Sequence, residues 1–162
     1  MAKREGFFQH DGVRYRFAVW ESEAAEAAPV VLLHGFAQSA ASWDNIAEFL
    51  GRTRSVVALD LVGHGGSDRP EGADAYALGA QGEMLLAYLA SPVGVAALAA
   101  PGRSNGGSAS AAHGSRKPLV VGYSMGGRVA LAAASSQPET FARFAGGLVL
   151  ESAGLGPVDE HE

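Results

Sequence analysis

Four short runs of the chain are continuously apolar and rich in β-branched residues. They lie at residues 29–33, 55–61, 118–121 and 148–150. A strand covered on both faces in a parallel sheet has this pattern, whereas a half-exposed strand alternates apolar and polar residues. Stretches long enough for helices separate the runs. The sequence therefore predicts right-handed βαβ crossovers and an α/β fold with a mostly parallel sheet.

The intervals predict an N-terminal antiparallel hairpin and three helices. Aromatic and β-branched runs at 7–9 and 13–20 flank Asp11-Gly12, a dipeptide typical of a two-residue hairpin turn. Apolar residues at 43, 46, 47 and 50 have amphipathic helical spacing, with a serine at 39 or 42 as the cap and Gly51 as the stop. Further helices are predicted at 76–90 and 125–136.

Residues 91–117 interrupt this alternation, because 17 of these 27 residues are alanine, glycine or serine. Such a composition buries too little apolar surface to offset the entropy of ordering. We expect most of this segment to be a flexible insertion. The alternative is that residues 93–100 extend the preceding helix.

Charge and composition exclude several classes of function. The net charge of −5 disfavours nucleic acid and anionic membranes as partners, since both require a basic surface. The chain has no cysteine, which excludes disulfides, thiolate catalysis and zinc–sulfur sites. We expect no metal and no cofactor. Neither a signal-peptide pattern nor a run of 18 apolar residues occurs, so we expect a soluble, cytoplasmic protein.

The segment Gly122-Tyr123-Ser124-Met125-Gly126 fits the pattern G-x-S-x-G between a predicted strand and a predicted helix. This context is typical of a sharp turn that exposes a nucleophilic serine, with glycines where a side chain would clash. Ser124 is therefore the predicted catalytic nucleophile. The backbone N–H of Met125 would stabilise the oxyanion. His34-Gly35-Phe36 follows the first apolar run, and the N–H of Phe36 is the predicted second donor.

Three motifs in register resemble those of the α/β-hydrolase superfamily. They are His34-Gly35-Phe36, residues 60–67 (Asp-x-x-Gly-His-Gly-x-Ser) and residues 122–126. Val62 stands where the family commonly has proline, which affects only the local loop. The resemblance implies that His34 and His64 are structural. It also implies that residues 1–162 are the N-terminal portion of a single α/β-hydrolase domain.

Within the superfamily, residues 122–128 and 151–156 are similar to the 2-succinyl-6-hydroxy-2,4-cyclohexadiene-1-carboxylate synthases of menaquinone biosynthesis. That resemblance implies proton abstraction from a carboxylate-rich substrate and elimination of pyruvate. It also implies substrate contacts by Tyr123 and Arg128. An arginine one turn beyond the serine could bind a carboxylate, although a solvated or salt-bridged arginine is the structural alternative.

A complete catalytic triad is not expected in this sequence. The family order is serine, acid, histidine, with the last two on loops after later strands. Asp159 and His161 are two residues apart and do not fit two separate loops, while His10 and His113 lie in the hairpin and the insertion. We therefore expect an enzyme fragment with little or no turnover.

Two other functions and one structural consequence follow from the same residues. The alternatives are a carboxylesterase-type hydrolase, which would take an ester substrate, and a catalytically silent binding protein. The strand near residues 148–151 would lie at an unpaired sheet edge with apolar surface, which favours dimerisation or aggregation.

Overall fold

A computed structural model describes residues 2–22, 27–99 and 116–154. Within these residues the strands form a six-stranded sheet in the order β1-β2-β4-β3-β5-β6. The strands are β1 (Ala2–His10), β2 (Val13–Glu21), β3 (Val30–Leu33), β4 (Val56–Leu59), β5 (Leu119–Tyr123) and β6 (Gly147–Glu151). The helices are α1 (Asp44–Leu50), α2 (Leu78–Ala90), α3 (Pro92–Leu98), α4 (Met125–Ser136) and α5 (Pro138–Phe144). The predicted α/β fold with an antiparallel hairpin is confirmed.

The N-terminal hairpin forms as predicted, but its first strand is longer. β1 pairs with β2 in antiparallel register from Ala2↔Glu21 to His10↔Val13. Asp11 and Gly12 both have positive φ, 46° and 76°, as a type I′ turn requires. The start of β1 is exposed, so it has no apolar pattern from which the strand could be predicted.

Strands β3 to β6 are parallel, and the side chains of β3 and β4 are entirely buried because helices cover both faces. Val31, Leu33, Val57 and Leu59 face the larger core, with α2, α4 and α5. Val30, Leu32, Val56 and Ala58 face the smaller core, with α1 and the 3-10 turn Ala40–Trp43 that precedes it. Continuous apolar runs therefore correspond to two-sided burial.

The helix after β3 is less amphipathic than its spacing predicts. Ala47 is buried, whereas Ile46 is 48% exposed. Ser39 precedes the 3-10 turn, but its side chain accepts no capping hydrogen bond. Gly51 ends α1 with an N–H···O bond of 2.8 Å to Ala47. The helical prediction is correct, and the predicted serine cap makes no side-chain hydrogen bond.

Helices α2 and α4 pack closely at Gly82. A Cβ at this position would lie 2.9 Å from the backbone nitrogen of Ala133 in α4. A glycine that weakens the intrinsic helix propensity of α2 thus permits the close approach of a second helix backbone.

The prediction of a flexible insertion is wrong at its start. Residues 92–98 form α3, which begins with Pro92 at the first helical position. Ser91 caps it, since its Oγ accepts a 3.0 Å hydrogen bond from the N–H of Gly94. The alternative of a continuous α2 is also wrong, because Ser91 has an extended conformation between the two helices. Residues 100–115 of the predicted insertion lie outside the described residues.

Strand β6 lies at the edge of the described sheet. It pairs with β5 along one side, from Leu119↔Gly147 to Tyr123↔Glu151. Val149 on β6 is 48% exposed. The predicted unpaired strand edge is therefore present within the described residues.

Candidate active site

The turn between β5 and α4 has the geometry that a nucleophile elbow requires. Ser124 is the single residue between the strand and the helix, and it has φ 49° and ψ −114°. Non-glycine residues rarely adopt this conformation, which costs about 1–3 kcal/mol. The N–H of Ser124 donates a 2.9 Å hydrogen bond to Glu151 O, and the N–H of Arg128 donates a 3.1 Å bond to Ser124 O. The strained turn is thus fixed by β6 on one side and by α4 on the other.

The two glycines of the motif allow the backbone segments around this turn to touch. A Cβ at Gly122 would lie 2.5 Å from the Cα of Gly127. A Cβ at Gly126 would overlap the carbonyl oxygen of Leu33, at the end of β3. No side chain fits at either position without backbone movement, which explains both glycines of G-x-S-x-G.

The loop after β3 lies beside the elbow. Its Gly35 N–H donates a 2.9 Å hydrogen bond to Gln38 Oε1, which closes the loop on itself. The ring of Tyr123 covers Gly35, where a Cβ would lie 2.8 Å from Tyr123 Cδ1. The structure therefore brings the segment containing Phe36 next to the segment containing Ser124.

Neither predicted oxyanion donor uses its backbone N–H group within the described part of the chain. Met125 is the first residue of α4, where N–H groups have no acceptor within the helix. Among the described residues, no protein oxygen accepts a hydrogen bond from the N–H of Phe36 or of Met125. The side chain of Phe36 is 77% exposed, and Ser124 and Met125 are partly buried.

Asp60 organises this end of the sheet, and sequence reasoning did not identify its role. Its buried carboxylate accepts hydrogen bonds from Ala40 N (2.6 Å), Gly66 N (2.9 Å) and Arg16 Nη1 (2.8 Å). Glu5 pairs with the other side of the Arg16 guanidinium. The carboxylate thus joins the loop after β3, the loop after β4 and the hairpin. Its place at the start of the Asp-x-x-Gly-His-Gly-x-Ser motif is the sequence signal for this role.

The pKa values follow from these contacts. Burial alone would raise the pKa of Asp60, but the two amides and the guanidinium outweigh it and hold the pKa below its ordinary value of 3.8. The hydrogen bond to Glu5 raises the pKa of Arg16 further, against the effect of its own burial. Asp60 is therefore ionised at neutral pH and has no proton to transfer.

The described histidines have structural contacts. His34 is fully buried; its Nδ1 lies 2.8 Å from Gly35 O, and its Nε2 accepts a 3.0 Å hydrogen bond from the N–H of Leu61. Burial lowers the pKa of His34, so the ring is neutral and both nitrogens are engaged. His64 Nδ1 lies 2.8 Å from Val62 O. His10 ends β1 at the hairpin turn. His113, Asp159 and His161 lie outside the described residues.

Tyr123 and Arg128 flank Ser124 on either side of the turn. Both side chains are partly buried. Within residues 2–22, 27–99 and 116–154, the Arg128 guanidinium has no ion-pair partner. This geometry removes the salt-bridged alternative for Arg128 within the described residues.

A groove of about 530 Å³ opens beside the loop after β3. The loops after β3 and β4 and the turn before α2 form its walls. Its lining residues are Phe36, Ala37, Gln38, Gly63, His64, Gly65, Arg69 and Tyr76. Ser124 is not among them, so this groove is adjacent to the elbow rather than part of it.

No group of three or more histidine, aspartate or glutamate side chains in the described ranges is arranged to hold a metal ion. None of the described helices has the length and apolar character needed to cross a membrane.

Comparisons with known proteins agree with this geometry. Residues 28–146 match the family described as alpha/beta hydrolase fold. A Bacillus subtilis (strain 168) protein, provisionally named 2-succinyl-6-hydroxy-2,4-cyclohexadiene-1-carboxylate synthase, is 34% identical over 142 residues, which are 88% of this chain and 42% of that protein. The chain therefore spans less than half the length of this relative.

Two solved structures have the same fold. Cfl2 from Burkholderia cenocepacia superposes with a TM-score of 0.69 at 25% identity, over 98% of this chain and 47% of that one. The thioesterase domain from the curacin biosynthetic pathway superposes with a TM-score of 0.67 at 23% identity, over 99% of this chain and 50% of that one.

Proposed function

Because this chain belongs to the α/β-hydrolase family, we propose that it supplies the serine and the oxyanion-binding amides of a serine-centred active site. The observation that carries the proposal is the conformation of Ser124, with φ 49° and ψ −114° at the start of α4. A strained conformation at a non-glycine residue is maintained only where surrounding contacts impose it. Here the contacts of Gly122, Gly126 and Glu151 do so.

The amides of Phe36 and Met125 are the proposed oxyanion donors. Neither N–H has a protein acceptor within the described ranges, and the covering of Gly35 by Tyr123 keeps their two segments adjacent. Preorganised donors stabilise negative charge as it develops, and losing one typically costs about 2.7–4 kcal/mol of transition-state stabilisation.

We favour a pyruvate-eliminating synthase as the whole protein's activity. The Bacillus subtilis relative supports this choice, as does Arg128 in the first turn after Ser124, whose guanidinium has no ion-pair partner in the described part of the chain. In such a reaction the serine takes part in removing a proton from a carboxylate-rich substrate, and pyruvate leaves. Tyr123 and Arg128 are the proposed substrate contacts, with Arg128 binding a substrate carboxylate.

A carboxylesterase-type hydrolase is the second candidate, because the fold and the elbow serve both reactions. The solved thioesterase domain with this fold supports it. A catalytically silent binding protein is the third. A small-molecule substrate, a cytoplasmic location and the absence of nucleic-acid and membrane partners stay predictions.

We propose that residues 1–162 alone have little turnover. Both ring nitrogens of His34 are engaged, and His10 lies at the distant hairpin turn, so neither is a base for Ser124. A positioned general base contributes about 10²–10⁴-fold to rate. The remaining oxyanion donors and binding contacts typically leave about 10³–10⁴-fold over the uncatalysed reaction.

Three measurements on the purified chain test these proposals. A fluorophosphonate should label the chain slowly, and Ser124→Ala should abolish the label. Ser152→Ala is the matched control, because Ser152 also has a positive φ of 52° but follows β6 instead of an elbow. Labelling that persists in Ser124→Ala would refute the proposed nucleophile.

Pyruvate release and p-nitrophenyl acetate cleavage separate the two enzyme classes. The synthase proposal predicts weak pyruvate release that Arg128→Gln lowers, while ester cleavage is unaffected because acetate esters carry no carboxylate. Rapid, Ser124-dependent ester cleavage by this chain would contradict both the synthase assignment and the expected low turnover.

A further inference from the structure

The groove beside Phe36 has a charged and aromatic lining with no assigned role. Arg69 is the one arginine or lysine among the lining residues, which include no carboxylate. Across the described ranges, the Arg69 guanidinium has no ion-pair or hydrogen-bond partner. The preceding residue, Asp68, faces Arg14 instead, at 3.5 Å.

Both aromatic residues of the groove contact neighbouring residues. Tyr76 packs against Gly63, where a Cβ would lie 2.7 Å from the ring, and its hydroxyl donates a 3.2 Å hydrogen bond to Pro70 O. Phe36 contacts the His64 ring edge-to-face, with the centroids 6.0 Å apart. Two aromatic surfaces thus border the site that contains the Arg69 guanidinium.

We propose that this groove is a subsite for a carboxylate attached to a flat ring, with Arg69 binding the carboxylate and Phe36 and Tyr76 contacting the ring. A guanidinium pairs with a carboxylate through two parallel hydrogen bonds, which a point charge does not reproduce. Aromatic side chains provide apolar contact for a planar ligand.

The groove lies beside Ser124 at the same edge of the sheet. The loops after β3, β4 and β5 leave the same edge of the sheet, since these strands are parallel. Neighbouring strands lie about 4.8 Å apart, so the loop after β4 lies roughly 10 Å from the elbow. Phe36 lies between them: its N–H belongs to the proposed oxyanion site, and its ring lines the groove.

The role of this subsite in catalysis rests on the proposed function of Ser124. A substrate with its reacting carbon at Ser124 would extend past Phe36 and place a second, ring-borne carboxylate at Arg69. Arg69 would then determine specificity, separately from the proposed contact of Arg128.

Binding of benzoate, measured by calorimetry, tests the subsite without requiring turnover. Arg69→Gln should weaken binding about tenfold or more, the value of losing a charged hydrogen-bond pair. Arg69→Lys should recover only part of the loss, because it lacks the planar fork. Benzamide, which has the same ring without the charge, should bind wild type at least as weakly as benzoate binds Arg69→Gln.

Arg52→Gln is the matched control. Arg52 is also an exposed arginine, follows α1 at the opposite edge of the sheet and stacks on Phe49. It should leave benzoate affinity unchanged. Equal affinities for wild type and Arg69→Gln, or no saturable binding to wild type, would overturn the subsite.

Ser124→Ala separates this inference from the proposed function. The variant should retain benzoate binding, since Ser124 does not line the groove. If fluorophosphonate fails to label Ser124 while benzoate binding depends on Arg69, the nucleophile proposal fails and the subsite stands. The reverse pattern refutes the subsite alone.

Discussion

Replacing Asp60 with asparagine tests how the loop carrying Phe36 is held. The carboxylate accepts hydrogen bonds from three donors in three segments: Ala40, Gly66 and Arg16. Asparagine has one acceptor oxygen. In its better orientation that oxygen retains Gly66 and Arg16, while its NH₂ group faces the N–H of Ala40.

The expected loss of unfolding free energy follows from those three hydrogen bonds. Leaving the Ala40 donor buried and unpaired costs about 1–3 kcal/mol. The two remaining bonds lose their charge assistance, which is roughly half their strength. We therefore expect Asp60→Asn to lower the free energy of unfolding by about 2–5 kcal/mol at pH 7.

The pH dependence provides a second, independent signature. A carboxyl whose pKa is depressed in the folded state contributes stability above its unfolded pKa and loses it as pH falls through the folded pKa. For Asp60, with an ordinary value of 3.8, the difference between wild type and Asp60→Asn should be constant near neutral pH and shrink below about pH 4.

Urea unfolding followed by tryptophan fluorescence measures this difference. Trp43 reports on the affected loop, because it ends the 3-10 turn that begins at Ala40. Asp74→Asn is the control: Asp74 is exposed, and its change should stay within about 0.5 kcal/mol. An Asp60→Asn loss below about 1 kcal/mol, or one that does not change with acidification, would refute the reasoning.

Three further perturbations test other features. Ser124→Gly should raise the free energy of unfolding by about 1 kcal/mol, because glycine relieves the strain at φ 49° at a smaller entropic cost. Ser124→Ala should give no such gain, and a glycine variant less stable than wild type would contradict the strain. Tyr88→Phe should stabilise the chain by about 1–2 kcal/mol in the same assay, because the buried Tyr88 hydroxyl has no partner among the described residues and burial raises its pKa. Destabilisation would contradict this and indicate that the hydroxyl has a partner. We also propose that the chain self-associates through the β6 edge. Light scattering should show species larger than a monomer, which Val149→Lys should dissociate, and a monodisperse wild-type monomer at high concentration would contradict the proposal.

Local sequence patterns were sufficient for most of the fold. The strands β3 and β4 were predictable because burial on both faces leaves a continuous apolar run. The Asp11-Gly12 turn and the glycines around Ser124 were predictable because each needs a backbone conformation or contact that few residues permit. In contrast, the exposed half of β1 has no apolar pattern, and its strand structure comes from pairing with β2.

Two features, helix α3 and the contacts of Asp60, could not be predicted in full from local sequence patterns. Ser91 and Pro92 are helix-start signals, but the surrounding alanine, glycine and serine residues favour a flexible insertion or an extension of the preceding helix over the separate helix α3. The Asp60 site combines Arg16, Ala40 and Gly66. These residues meet only in the folded chain, so no local periodicity indicates their contact.

The tight contact between Gly82 and Ala133 connects the helix of the candidate active site to a buried position on α2. Ala133 lies eight residues along α4 from Met125, about 12 Å at 1.5 Å per residue. A methyl group at position 82 would push against the α4 backbone, and a packed helix transmits such a displacement along its axis. Gly82→Ala would therefore displace the α4 backbone, which begins at Met125, without altering any residue around Ser124.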